Sequence, residues 1–245
     1  MHVAEPHVQL LAHTTLATEG RQTAIEKHMN LDPEAGDMQQ LIEHAGRSCY
    51  LSFHKPNPKT ARNADYINHT LHDQGHWSIA EHASATFYIT GVSRALTHEL
   101  IRHRHLSFSQ LSQRFVDESD ANIVIPPAAA DSSTTEVFLD YGYDGPHIAE
   151  SIPEALKYWG EEAVWSYEDL VKTLQEEGLP RKQAREAARA VLPNMIETRI
   201  VTTGNLRAWN EVIQRRTAPG ADAEFQKVAG MIKEELHKLA PEVIK

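Results

Sequence analysis

The sequence predicts one α+β domain spanning residues 1–245, with a central, largely antiparallel sheet flanked by helices. Short runs rich in β-branched and aromatic residues, such as ASATFYIT at 83–90 and TRIVTT at 198–203, read as strands. Longer stretches with apolar residues at a period of 3.6 read as helices. The two kinds follow each other too irregularly for a doubly wound sheet, and no GxGxxG or Walker loop is present. A chain of 245 residues can bury a substantial core and is of ordinary single-domain size.

Taken in order, residues 7–14 (HVQLLAHT) read as a short strand, and 18–29 and 36–48 as helices, the second closing at Cys49 and Tyr50. HKPNPKT at 54–60 is a proline-punctuated loop, followed by a helical reading over 61–75. The strand at 83–90 is ended by Gly91. From Val92 to about His105 the period becomes helical, with Val92, Leu96, Leu100 and His103 on one stripe. The serine-rich residues beyond it read as a loop, Ile123 to Pro127 as the end of a strand, and 128–146 as a surface excursion. A long helix is expected over 153–177, and Leu179-Pro180 starts another, with proline in its first turn. Pro193 ends that helix. After the strand at 198–203, Gly204 leads into a helix reaching Arg216, and the last helix covers 222–239.

Composition narrows the function. Lys+Arg 24 against Asp+Glu 34 gives a formal charge of -10, which argues against a nucleic-acid surface built from general basicity. Cys49 is the one cysteine, so no intramolecular disulfide or zinc-finger spacing exists. The start lacks a basic segment followed by an apolar core, and no run of about 18 apolar residues occurs. The expectation is a cytoplasmic protein with neither membrane nor nucleic-acid partners.

Against this acidic background, RHRHLSFSQLSQR at 102–114 gathers Arg102, Arg104 and Arg114 with Ser107, Ser109, Ser112, Gln110 and Gln113. Guanidinium forks make bidentate contacts to phosphate oxygens, and hydroxyls and amides fix a ligand's position. Beginning at a predicted helix C-terminus, part of this charge also suits the helix dipole. Arg181, Arg185 and Arg189 recur every fourth residue, which for Arg181 and Arg185 is equally well a solvated basic face. Asn205, Trp209, Val212 and Arg216 form one stripe, an apolar face ending in an arginine that requires either an internal glutamate or a ligand as its partner.

His69, His72, His76 and His82 crowd near Glu81, and His72 and His76 have zinc-ligand spacing if their helix continues. A third ligand and an HExxH-like base are missing, so no metal is assigned. No GxSxG elbow surrounds the serines. Cys49 reads as a small core residue closing a helix. A module gripping RNA or a phosphorylated partner fits less well, since only Phe108 and Phe115 interleave the basic window.

Arg102-His103-Arg104, seven residues, then Ser112 resembles the signature of flavin-dependent thymidylate synthases, with Gln110 and Arg114 also fitting. The block His76-Trp77-Ser78-Ile79-Ala80-Glu81-His82 upstream, and Arg189 to Pro193, Asn205-Leu206-Arg207 and Arg216 downstream, match in the same order, so the resemblance covers about residues 45–230. It implies dTMP synthesis from dUMP with FAD, 5,10-methylenetetrahydrofolate as carbon donor and NADPH as reductant, in a homotetramer with sites at subunit interfaces. It implies flavin contacts from Ser78, Glu81, Arg102, His103, Arg104, Gln110, Asn205, Arg207 and Glu211. For dUMP it implies Glu99, Leu100, Ile101 and Arg102, then Gln110, Leu111, Ser112, Gln113 and Arg114, with Arg189 and with Arg216 activating the pyrimidine. Such a route needs no cysteine nucleophile. Ser109, Phe115, Glu211 and Gly220 depart from the family's usual residues.

Overall fold

The computed structural model describes residues 1–20, 32, 34–130, 132, 136–143 and 145–245. Of the helix expected over 18–29, the first turn Thr18–Gly20 is present and residues 21–29 lie outside the described set.

Strand β1 (His7–His13) is followed by α1 (Asp37–Ser48) and the short α2 (Asn63–Ile67), then by β2 (Ser84–Ser93), α3 (Arg94–Leu100) and β3 (Leu106–Gln110). A hairpin, β4 (Val137–Gly142) and β5 (Gly145–Ala149), precedes the long α4 (Ile152–Glu176) and α5 (Arg181–Ala188). The chain ends in β6 (Glu197–Asn205), α6 (Leu206–Arg216) and α7 (Ala223–Leu239). The principal sheet has four strands in the order β1-β2-β6-β3. Every neighbouring pair is antiparallel, as the sequence predicts.

Alternation decides which face is buried. Ala85, Phe87 and Ile89 of β2 lie opposite Gly204, Thr202 and Ile200 of β6, and all six point inward. Trp209 of α6 covers them, donating from Nε1 to the Ala85 carbonyl at 3.1 Å and meeting the Phe87 ring edge-on at 5.2 Å. Met38 and Ile42 of α1, Leu96 and Leu100 of α3, and Phe225, Val228 and Ile232 of α7 complete this core. Gly204 permits the approach of β3, because a Cβ there would sit 2.2 Å from Leu106 Cδ2.

Several expectations are corrected. Gly91 does not end β2, since the strand passes through it by a bulge between Ile89 and Val92. Its φ of +66° and a virtual Cβ 1.9 Å from the Glu5 carbonyl make glycine necessary there. The helix over 61–75 is broken: α2 gives way to a wider turn at Asn68–Asp73 and stops. His76 therefore lies beyond it, and His72 Nε2 instead meets the Glu242 carbonyl at 2.8 Å. The zinc-ligand spacing depended on that helix continuing. The helix expected to reach His105 ends at Leu100, and the first part of the serine-rich loop, Leu106–Gln110, is strand β3, with Ser112 beyond it at the start of a turn. Ile123 makes isolated bridges to Val3 and Ile196 in place of a strand end. Cys49 is exposed, contrary to its reading as a core residue.

Candidate active site

The basic window sits in a tight reversal between α3 and β3, and both flanks are anchored. Ser93 caps α3, its Oγ accepting from Leu96 N at 3.0 Å. Buried Glu224 of α7 accepts from Ser93 N at 2.7 Å and from Ser93 Oγ at 2.6 Å, so the start of α3 is tied to α7. Leu96 and Leu100 face the core, which leaves Glu99 at the edge of the helix's last turn. The chain then reverses through Arg102, His103 and Arg104 until Leu106 pairs with Gly204.

Arg216, at the C-terminal end of α6, reaches back to this reversal. Its Nη1 donates to Glu99 Oε2 at 2.9 Å, its Nε donates to His103 Nε2 at 3.1 Å, and its guanidinium carbon lies 4.8 Å from the centre of the Phe225 ring. Glu99 Oε1 also lies 3.3 Å from Arg102 Nη1, so one carboxylate bridges two arginines. The Arg216 hydrogen bond, with its charge and that of Arg102, holds the Glu99 carboxyl below its ordinary range. Burial first, and the Arg216 charge second, depress the His103 imidazole. A neutral His103 is what the geometry requires, because the Nε2 that accepts from Arg216 cannot also carry a proton. The sequence left Arg216 two possible partners, and in the structure the internal glutamate is one of them. Three of its five N–H bonds remain for anything entering from the cleft.

That cleft has a volume of about 460 Å³ and is lined by Arg102, His103, Arg104, Arg215 and Arg216 with Glu99 and Glu211. A second cleft of about 210 Å³ adjoins it through His105, Ala208 and Glu211, bringing in Glu81, Asn205 and Arg207. Arg207 Nη1 pairs with Glu81 Oε1 at 2.5 Å, and Arg215 Nη2 with Glu211 Oε1 at 2.8 Å. Asn205 uses its Oδ1 to cap α6 at Ala208 N, 2.8 Å away, and so positions the helix that carries Arg207 and Arg216. A third cleft, about 490 Å³, shares Glu99 with the first and is lined by Ile101 and Gln110. Gln110 Nε2 is fixed by Thr97 Oγ1 at 2.9 Å and Thr198 Oγ1 at 3.3 Å.

Other expected residues fall outside these clefts. Ser78 is exposed on the turn Trp77–His82 that also carries Glu81 but lines none of the three clefts, and Leu100 is fully buried, which leaves it main-chain contacts alone. Leu111, Ser112, Gln113 and Arg114 line none of the three clefts. Arg114 Nε lies 2.7 Å from Glu186 Oε2 as an ion pair. Arg189 is exposed just past α5. Arg185, read as one of a solvated pair, is instead buried, donating to the Phe115 carbonyl at 2.8 Å and pairing with Asp117.

Arg94 was not singled out in the sequence. It lines the third cleft and buries its Nη1 without a hydrogen-bond partner among the described residues. Burial lowers its pKa, and Arg189 lowers it further, so Arg94 and Arg189 bear on one another electrostatically. No local signal marks it, because an arginine at the end of a strand is ordinarily solvated.

Residues 31–242 match the family described as thymidylate synthase complementing protein. A protein from Mycobacterium phage L5, described as a probable flavin-dependent thymidylate synthase, is 50% identical over 218 residues, covering 88% of this chain and 84% of its own. The flavin-dependent thymidylate synthase of Mycobacteroides abscessus is 48% identical over 203 residues, covering 83% of this chain and 77% of its own. In fold, the chain is similar to thymidylate synthase X from Helicobacter pylori, solved with FAD and dUMP, with a TM-score of 0.61, 19% identity, and coverage of 98% of this chain and 100% of that one. The chain belongs to the flavin-dependent thymidylate synthases, a family of enzymes.

Proposed function

We propose that this chain makes dTMP from dUMP by FAD-mediated reductive methylation, with 5,10-methylenetetrahydrofolate as carbon donor and NADPH as reductant. The observation that carries the reading is the convergence of Arg102 and Arg216 on Glu99, beside His103, in a cleft that continues to Glu81, Asn205 and Arg207. These are the positions at which the signature expects flavin and nucleotide. The Helicobacter pylori enzyme, which shares the fold, was solved with both ligands.

The residues present fit a large anionic cofactor. Arg104 faces the first cleft and forms no ion pair with a described residue. The pairs made by Arg102 and Arg207 are solvent-exposed and therefore inexpensive to exchange for a pyrophosphate. When bound, FAD supplies the hydride that completes the methyl group at uracil C5.

The chain's own residues bind and polarise. Arg216 directs its remaining N–H bonds at the N3 and carbonyl edge of the pyrimidine, stabilising the anionic character that makes C5 nucleophilic. Glu99 and His103 hold that guanidinium in register. Arg94, on the cleft beside Gln110, joins Ser112, Gln113, Arg114 and Arg189 as the group for the nucleotide phosphate. Ser112, Arg114 and Arg189 stand outside the main cleft of one chain, and the resemblance to the family is what supports a homotetramer with sites completed between subunits. No described helix is long and apolar enough to cross a membrane, which is compatible with work in the cytoplasm.

The test is product formation: purified protein with FAD, dUMP, methylenetetrahydrofolate and NADPH, followed by chromatography for dTMP. Formation of dTMP that requires each component is expected. Absence of dTMP from folded, flavin-loaded protein would overturn the reading.

A further inference from the structure

The loop after the basic window carries a buried acidic residue that interacts electrostatically with the start of α3. This residue, Glu118, is 3% exposed and its Oε1 has no hydrogen-bond partner among the described residues. The cation that acts on it most strongly is Arg94, whose buried Nη1 is likewise unpartnered and which makes no direct ion pair with it. The other charges around Glu118 are its neighbour Asp117 and, from β6, Glu197 and Arg199, while Tyr167 of α4 lies against its main chain. Most of these are engaged elsewhere. Asp117 is clamped by Arg185, and Glu197 accepts from Asn122 Nδ2 at 2.9 Å and from Gly91 N at 3.2 Å. Arg199 Nη2 lies 3.8 Å from Glu197. Glu118 and Arg94 thus remain as the opposed charges with capacity to spare, and Arg94 also borders the cleft lined by Gln110.

We infer that Glu118 is a positioning residue for the nucleotide phosphate: it is the counter-charge of Arg94 until phosphate engages Arg94 from the cleft, whereupon Glu118 takes up a proton from solvent. This rests on the reading that dUMP binds at this cleft. Burial drives the Glu118 carboxyl up to about 7, against the pull of Arg94 and Arg199 and with the push of Asp117 and Glu197. The group is therefore poised near neutrality. A phosphate dianion on Arg94 cancels the main attraction and adds a repulsion, and both displace the carboxyl toward its neutral form. By linkage, a site that gains a proton on binding loses affinity as that proton becomes scarce.

Calorimetric titration of the flavin-loaded protein with dUMP near pH 7.5, in buffers of differing ionisation enthalpy, counts the protons exchanged. Wild-type protein should take up about half a proton per dUMP, and Glu118→Gln should bind dUMP without that uptake. The nucleotide's own phosphate, with a second pKa of about 6, contributes only release when bound as the dianion, so the sign separates the two sources. Between about pH 7 and 8.5, wild-type affinity should fall by up to roughly tenfold per unit, and the variant's should stay nearly flat. Equal uptake by wild type and Glu118→Gln would overturn the inference. So would zero uptake or net release by wild type, a result that needs no variant and decides the matter even if Glu118→Gln does not fold. Absence of any saturable dUMP heat would instead overturn the nucleotide-site reading beneath it.

Discussion

Glu99 Oε2 accepts a hydrogen bond from Arg216 Nη1 at 2.9 Å, joining the end of α3 to the end of α6 across 117 residues of sequence. This contact brings the basic window and the last predicted site residue into one cleft. Arg216 is 18% exposed on its side chain, so its charge is largely removed from water and depends on the partners fixed around it.

Arg216→Ala should lower turnover by about a hundredfold or more with FAD still bound, by analogy with removal of one oxyanion donor. Lysine at 216 should restore only part of the rate, because a point charge replaces a planar fork. Steady-state kinetics at saturating dUMP check this. Near-normal turnover in Arg216→Ala would make the Glu99 pair purely structural.

His103 gives a pH dependence of definite sign. Its pKa is lowered in the fold, by burial and then by Arg216, relative to a free imidazole value of about 6.5. The unfolded chain therefore binds the proton more readily, and the stability tied to neutral His103 is present above about 6.5 and lost as pH falls through the lowered value. Thermal melts of wild type and His103→Gln across this range should converge as pH falls. A constant gap between the two would mean that His103 does not titrate in this window.

Arg185→Met should destabilise the protein by roughly 1.5 to 3 kcal/mol, since it leaves the Phe115 carbonyl without its donor and Asp117 without its cation. Denaturant unfolding measures the loss. An unchanged midpoint would return Arg185 to the solvated face that its helical spacing suggested.

The sheet's inner strands and the main helices were legible because their signals are local: β-branched alternation in β2 and β6, and a 3.6 period in α4, α6 and α7. β3 was not. Leu106 to Gln110 carries two serines and lies at the sheet edge, so its strand conformation comes from pairing with β6, a partner distant in sequence. Arg185 was misread for a similar reason, since its carboxylate comes from the loop at Asp117. The site was legible where a motif is contiguous, as at 102–104, and where spacing along one helix carries Asn205 to Arg216. Arg94 and Glu118 escaped notice because each is ordinary alone and becomes informative only through burial beside the other.

Cys49 is exposed at the end of α1 and lines none of the clefts that carry the basic window. Cys49→Ser should keep full activity and shift stability by no more than about 0.5 kcal/mol, as expected of a surface substitution. Loss of dTMP formation in a folded, flavin-bound variant would point to a thiolate mechanism.

The absorbance spectrum of the purified protein tests the central claim most directly. A yellow protein with flavin bands is predicted, with retention weakened about ten- to a hundredfold in Arg104→Ala, the cost of one charge-assisted contact. A colourless protein that stays colourless after incubation with excess FAD and removal of the unbound cofactor would contradict the account.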